Sequence, residues 1–430
     1  MTTRLIDSHP NMPQPVPKTI IIVGGSLSGL FAGVALKRLY KNLNIRIFER
    51  NPTPLLRDQG AGIVAGQDVQ TFFSKNDRTK TPLAVTSRQR LYLDRDGNVI
   101  HREDSVQQMT SWDLLYHLLR VNFDGVESEY AETPGSEEEE GTASYEYGCT
   151  VTGIKTPDQS SSLNFSEPVE VTMKRHSGET FSATADLVIA ADGASSMIRP
   201  MYFPDIKRKY AGYVGWRGLV PENKMSEAAA AVFTEKFVFY HTEGIQTLTY
   251  LIPGKNGTTE PGKRFANLIW YQNYPEGSPE HTELMTDKNG KKHHVSLPPG
   301  AVNEAVWSKT KENAKKIFPP QFVELLENIE VPFLQVITDA IAPSAVLSGG
   351  RVLLMGDALA NFRPHTAAST NQGALDAMAL AEAVKGMFDG EGMKALNEWE
   401  DKVGEYARNM QKHGVQIGNR SQFGEHPLRG

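Results

Sequence analysis

The chain holds a single cysteine, Cys149, in 430 residues. This excludes an intramolecular disulfide and any thiolate-based metal cluster, and it fits a reducing compartment. No apolar run approaches the roughly 20 residues a membrane helix needs, and the opening MTTRLIDSHPNMPQPVPK lacks the apolar core of a signal peptide. A cytosolic protein is expected. Also missing is any block of Lys and Arg. With a formal net charge of -6, neither nucleic acid nor a membrane surface is an expected partner. His293 and His294 sit side by side behind Lys291 and Lys292 in DKNGKKHH, without the spacing of a ligand set, so no metal is expected. Internal repeats are absent too. The length leaves room for two closely packed domains, and small-molecule chemistry is the class that survives these exclusions.

The elements alternate in a readable way. TIIIV at 19–23 is a β-branched apolar run suited to a strand buried on both faces. Gly24 to Gly29 breaks it, LFAGVALKRLY follows at helical spacing, and a second apolar strand at 45–48 ends at Glu49. This is a βαβ unit opening a parallel sheet. SRQRLYLDRDGNVIHRE, with Asp96-Gly97 at its centre, is a hairpin of a different, antiparallel sheet. MTSWDLLYHLLRVNF is a helix that Ser111 or Asp113 can cap, and SEEEE at 136–140 is a solvated loop. Two strands are expected over 169–191, the second being DLVIAA. The aromatic and β-branched segments 213–220, 237–240, 247–252 and 265–271 form an antiparallel sheet. A last buried strand covers 352–355, and an Ala-rich helix begins near Thr370.

The expected fold is therefore α/β (α+β overall), a Rossmann-like parallel-sheet domain with an inserted, mainly antiparallel substrate domain. The first is assigned residues 18–80, 105–204 and 345–415, the second 81–104 and 205–344, with 1–17 and 416–430 as tails.

Three groups of residues carry chemistry. Gly24, Gly25, Ser26, Leu27, Ser28 and Gly29 join strand to helix. Backbone that approaches a pyrophosphate needs small residues, and the helix N-terminus offers free N–H groups. In the G-x-G-x-x-G frame the middle glycine is Ser26. Glu49, with Arg50 beside it, ends the second strand where a carboxylate accepts from ribose hydroxyls. Asp357, after Gly356 and a buried strand, can hold further hydroxyls, and the helix N-terminus beyond Pro364 can face an anionic ring edge.

With Asp192-Gly193 in DLVIAADGASSMIR, these motifs fall in one order, GGSLSG with Glu49, then DG, then GD. In that order the sequence resembles the single-component FAD-dependent aromatic hydroxylases typified by 4-hydroxybenzoate hydroxylase, over roughly residues 19–385. In detail it is similar to the 2,6-dihydroxypyridine 3-hydroxylase branch, through TSWDLLYHLLR, KYAGYVGWRGLVPE, PFLQVITDAIAP and RPHTAAST. The resemblance implies bound FAD, NADPH or NADH as a transient reductant, and O2 delivered through a flavin C4a-hydroperoxide to a small electron-rich aromatic substrate. It also implies that Asp192 touches both FAD and reductant, with Arg199 helping, and that Arg57 lies close to the flavin. A single nucleotide fingerprint agrees, since NAD(P)H then has no Rossmann domain of its own. The chain departs from the family at Ala358, Leu359 and Ala360, at Trp112 where many members carry Arg, and at Thr366, Ala367 and Ala368 in place of Gly-Gln-Gly. A same-fold epoxidase or ring-oxidising monooxygenase of a larger natural product, or a flavin-binding sensor without turnover, are the competing readings. A homodimer is compatible with either.

On the substrate side, Trp216, Tyr240, Tyr250 and Trp270 are candidates to stack on a ring, against the alternative that they fill the sheet core. Arg217 can hold a carboxylate or phenolate. His241 and His365 are candidate bases because imidazole titrates near neutrality, and His365 in RPHTAA stands beside the expected flavin site.

Overall fold

The computed structural model describes residues 16–56, 62–135, 140–157, 165, 167–424, 426 and 428. A parallel sheet forms around Thr19–Val23, with Asn44–Phe48 and Thr142–Glu146 on one side and Leu187–Ala190 and Val352–Leu354 on the other. Val346–Leu347 closes that edge antiparallel. The central strands are buried over almost every residue, which explains their unbroken apolar sequences: both faces are covered, so no alternation survives. The helices Leu27–Lys37, Trp112–Asp124 and Ser369–Phe388 pack on this sheet, and so does a three-stranded antiparallel sheet made of Cys149–Lys155, Val169–Arg175 and Thr180–Ala185. Residues 169–191 thus hold three strands, not two. Gly178, at φ +95°, turns the first back on the second, and only Leu187–Ala190 enters the parallel sheet.

Ser111 caps the helix Trp112–Asp124 by accepting from Leu114 N at 3.2 Å, and Gly125 ends it in the left-handed conformation. Glu140 departs from the solvated loop expected of SEEEE. It is half-buried and pairs with Arg78 at 2.6 Å and Lys37 at 3.2 Å, while residues 136–139 lie outside the described residues.

The second sheet runs Ser296–Leu297, Phe333–Ile341, Lys209–Pro221, Phe265–Asn273, Ile245–Ile252, Lys236–Thr242, Val85–Leu93, Val99–Ser111 and Gly62–Ala65. All neighbours are antiparallel except Lys236–Thr242 with Val85–Leu93. Gly62–Ala65 and the end of Val99–Ser111 belong to it through their pairing, although sequence placed both in the nucleotide unit. Its outer face is covered by Glu227–Phe233, Glu304–Ile317 and Pro320–Glu327, which share one apolar cluster with Val214, Trp216, Tyr240 and Trp270. Its inner face carries a separate cluster that includes Tyr213, Phe239, Tyr250, Ile269 and Tyr271.

The last helix, Met393–Gln422, runs past residue 415 and crosses between the two units. There Asn273 Nδ2 donates to Gln422 O at 2.7 Å. Part of the expected tail is therefore structural. Among the described residues no helix is long and apolar enough to cross a membrane.

Candidate active site

The strand Thr19–Val23 delivers the chain to Gly24 at φ +102°, a conformation that glycine alone adopts without strain. A Cβ there would lie 2.8 Å from Asp192 Cα, so the glycine loop rests directly on the Asp192-Gly193 loop. A Cβ on Gly25 would run into the Tyr145 side chain, and one on Gly29 into Gly24 O. Ser26, by contrast, has φ -86° and makes no side-chain cap to the helix Leu27–Lys37. A serine at the middle-glycine position therefore costs nothing in backbone geometry, and the first helical N–H groups remain available to an anion. Leu27 is buried in the core, and Ser28 abuts the second motif: a Cβ on Gly356 would come 2.7 Å from Ser28 Cβ.

Glu49 is buried at the end of its strand. Its Oε2 accepts from Gly25 N and its Oε1 from Asn51 N, both at 2.8 Å, so the carboxylate has a fixed orientation. A cavity of about 400 Å³ opens beside it, lined among others by Gly24, Glu49, Arg50, Trp112, Val151 and Asp192. This is the size of a ligand pocket. Trp112 is stacked on Tyr116 at 4.9 Å, so an indole face stands at the start of the helix Trp112–Asp124. Arg120 is a buried cation on the same helix. Its guanidinium lies 3.7 Å above the Tyr145 ring, while the Tyr145 hydroxyl donates to Gly25 O at 3.0 Å. Sequence reading missed both, because their link to the glycine loop spans 95 to 120 residues.

The DG and GD motifs meet because Leu187–Ala190 and Val352–Leu354 are neighbours. Asp192 Oδ2 accepts from Met197 N at 2.7 Å, leaving Oδ1 buried with no partner. Gly193 follows at φ +77°. Arg199 joins the motifs, donating to Asp357 O at 3.2 Å, Ala358 O at 3.0 Å and Ala194 O at 2.8 Å. Arg208, which sequence reading also missed, donates to Ser195 Oγ at 2.9 Å and Thr338 Oγ1 at 2.7 Å. Burial pushes the Asp357 carboxyl up to about 6, against the pull of a Ser369 hydrogen bond and the charges of Arg208 and Arg199. Its Oδ1 has no partner.

Beneath it Gly356 N donates to Asp376 Oδ2 at 2.8 Å, and Gln372 Nε2 donates to Gly356 O at 2.7 Å. Asp376 is fully buried, and burial pushes its carboxyl up to about 7. Of the two acids in ALDAMALAEAV, Glu382 is exposed and Asp376 lies on the buried stripe, and an acid in register with that apolar stripe is the signal that could have found it.

Pro364, His365 and Thr366 form one 3-10 turn, Ala367 follows at φ +52°, and the helix Ser369–Phe388 starts after Ala368 with no side-chain cap. The left-handed Ala367 strains the turn by about 1–2 kcal/mol. Ala367→Gly is expected to raise stability by about 0.5–1 kcal/mol, the relief less the added chain entropy, read as a higher urea midpoint.

The inner sheet face supplies the other wall. Arg217 is 9% exposed with Nε unpartnered, and its charge acts on Tyr250 and Tyr271. Burial pushes the Tyr271 phenol up to about 12, so it stays protonated in use. Tyr213 OH and His365 Nε2 are 2.8 Å apart. Arg363, which can only donate, faces the same hydroxyl, so a phenol hydrogen directed at Nε2 would leave the imidazole proton on Nδ1. His365 is not the near-neutral base expected of it: burial and the Arg363 charge hold it down to about 3, leaving a neutral ring. His241 is on the same face but stands at the hairpin end of its strand, its ring 3.7 Å from that of His426.

Trp216, Tyr240 and Trp270 point the other way. Tyr240 OH donates to Ile317 O at 2.8 Å, and the two tryptophans pack on Trp307 and Phe318. The period of two decides it, because residues 214, 216 and 220 share the outer face while 217 and 219 share the inner. Trp270→Ala is thus expected to cost about 3–5 kcal/mol of stability without changing KM in the folded fraction, as denaturation and steady-state kinetics together would show. Arg57 lies outside the described residues.

The unpartnered Asp192 Oδ1, Asp357 Oδ1 and Thr366 Oγ1, the bare helix start and the glycine cradle fit a dinucleotide laid from Glu49 to Ser369. Among the described residues no group of three or more His, Cys, Asp or Glu side chains is placed to hold a metal ion.

A family model described as FAD binding domain-like matches residues 210–339, which is the large-sheet unit rather than the glycine loop. The chain is 28% identical over 389 residues to 2,6-dihydroxypyridine 3-monooxygenase of Paenarthrobacter nicotinovorans, covering 90% of this chain and 87% of that protein. The structure of 2,6-dihydroxypyridine-3-hydroxylase from Arthrobacter nicotinovorans matches with a TM-score of 0.79 at 27% identity, over 97% of both chains. The chain is an FAD-dependent monooxygenase related to the aromatic hydroxylases. Klebsiella pneumoniae HpxO, solved with FAD and uric acid, shares the monooxygenase's fold at a TM-score of 0.69 and 19% identity, over 95% of this chain and 90% of that one.

Proposed function

We propose that the monooxygenase works in the cytosol, using NADPH or NADH and O2 to hydroxylate a small aromatic or heteroaromatic ring held between Asp357 and the inner face of the large sheet. The observation that carries this reading is a set of buried polar atoms without partners, Asp192 Oδ1, Asp357 Oδ1 and Thr366 Oγ1 in the nucleotide unit and Arg217 Nε on the inner face of the large sheet. Buried polar atoms without partners are rare in folded proteins and mark the place of a polar ligand. The heterocycles met above, the dihydroxypyridine in one relative's name and the uric acid bound to HpxO, both carry oxygen substituents that such a wall would receive.

FAD, when bound, supplies electron transfer from NAD(P)H and activation of O2. Gly24 to Gly29 would hold its pyrophosphate, Glu49 its adenosine ribose, and Asp357 its ribityl hydroxyls, with the N-terminus at Ser369 facing its pyrimidine edge. The chain's own contribution is to bind, orient and keep dry. Arg217 favours a deprotonated substrate by charge, and Met109, Leu248, Ile252 and Ile269 keep water from the ring. Tyr213 fixes the ring of the neutral His365.

The test is NADPH and NADH oxidation by purified, flavin-loaded protein with hydroxypyridines, phenols and hydroxybenzoates under heavy O2. Substrate-stimulated oxidation with one heavy oxygen in the product is expected. Colourless protein that fails to take up FAD, or oxidation that yields only peroxide with every ring tried, would sink the reading.

A further inference from the structure

Asn267, which lies in the aromatic and β-branched segment 265–271 but was not singled out by number, is fully buried on the inner sheet face. It stands opposite Leu219 on one neighbouring strand and Tyr250 on the other, which makes it the diagonal neighbour of Arg217. Its amide is not free to turn over. Gly62 N donates to Asn267 Oδ1 at 3.2 Å, and only an oxygen can receive that hydrogen. Gly62 can come this near because it lacks a side chain: a Cβ there would lie 2.6 Å from Asn267 Cγ and 2.9 Å from Tyr250 Cε2. The backbone carbonyl of Asn267 is taken as well, by Thr249 Oγ1 at 3.0 Å.

With both acceptors used, what remains is Nδ2, a buried donor with no partner. Beside it Arg217 Nε is another. Burying two such donors unsatisfied is costly, and apolar ligand surface does not relieve the cost.

Resting on the monooxygenase reading, we infer that Asn267 is a specificity-determining residue, whose fixed amide donates to a substrate oxygen while Arg217 receives the substrate's negative charge. The pair selects rings that present hydrogen-free acceptors, oxo groups or deprotonated hydroxyls. It rejects rings whose substituents are donors, because an amino group set against Nδ2 leaves both hydrogens unpaired. An amine in place of an oxygen is therefore a sharper probe than removal of the oxygen.

The experiment titrates FAD-loaded enzyme with 2,6-dihydroxypyridine and 2,6-diaminopyridine, and with resorcinol and 1,3-diaminobenzene, following the bound flavin's spectrum without turnover. The oxygen-bearing member of a pair is expected to bind about tenfold to a hundredfold tighter. Asn267→Asp keeps an acceptor for Gly62 N but loses the donor, and Asn267→Leu loses both. Each is expected to remove most of that preference, with affinity for the diamine little changed in Asn267→Leu and raised in Asn267→Asp, whose carboxylate can accept from an amine. The inference is overturned if a diamine binds the native enzyme as tightly as its oxygen counterpart, or if neither oxygen-bearing ring perturbs the flavin. It is also overturned if Asn267→Asp weakens both members of a pair equally, which marks Asn267 as a prop for Gly62 alone. The native-enzyme comparison stands even if a variant fails to fold. A protein with no flavin spectrum at all fails the monooxygenase reading instead.

Discussion

Gly29→Ala yields a chain that does not take up FAD. A Cβ at this position would overlap Gly24 O and lie 3.2 Å from Ile22 Cγ2, and neither a backbone carbonyl nor a buried strand residue can move aside. The strand-to-helix turn must open, which costs about 3 kcal/mol, the upper end of what overpacking usually costs. It also displaces the N–H groups that would meet the pyrophosphate. FAD binding, followed by fluorescence quenching of added cofactor, is expected to vanish while the large sheet still unfolds cooperatively in urea. Ser26→Gly is the contrasting case. Because Ser26 already has an ordinary backbone conformation, its affinity is expected to stay within about threefold of native. If Gly29→Ala binds FAD normally, the loop is not the nucleotide cradle.

The second large effect is a pH dependence of FAD affinity that belongs to Asp357. Its carboxyl, pushed up to about 6 by burial, is partly protonated just where many assays are run. Hydroxyls that donate to the carboxylate favour its charged form and lower its pKa on binding. FAD uptake therefore releases a proton. Affinity is expected to be flat above pH 6 and to fall up to tenfold per unit as pH drops below it. Asp357→Asn should abolish the slope and weaken binding about a hundredfold at pH 8, the worth of one or two charge-assisted hydrogen bonds. Equilibrium dialysis between pH 5 and 8 measures both. A slope that persists in Asp357→Asn would move the titration to Asp376, whose carboxyl is held near 7.

The legible and the hidden parts of this site divide by the range over which they act. Gly24 to Gly29, Glu49, Asp192 and Asp357 could be read from sequence because each sits at a strand end that its own neighbours announce. Trp216 and Trp270 were ambiguous for a physical reason: alternation says which residues share a face but not which face looks inward. That phase depends on the helices around Trp307 and Phe318, some 40 to 100 residues away in the chain. His365 was singled out for its place in RPHTAA, yet its charge state was beyond reach, because it is set by burial and by Arg363 after folding. Asn267 was within reach only as one unnumbered inward residue of a strand, and Arg208 gave no signal at all. An amide becomes a fixed donor only when Gly62, 205 residues away, occupies its oxygen.

The bond from Gly356 N to Asp376, with Arg199 tying the loop at 194 to the turn at 357, also dictates when the cofactor can be loaded during synthesis. The glycine loop leaves the ribosome among the first 30 residues, but the turn it packs against through Ser28 arrives more than 300 residues later. At about 5–20 residues per second, the nascent chain spends tens of seconds with half a nucleotide cradle and an apolar central strand whose inner-side neighbour has yet to be made. A complete flavin cradle thus exists only once residues up to Asp376 have been made. Cells short of FAD would accumulate a full-length protein whose last-formed contacts, not its first, are the ones left open.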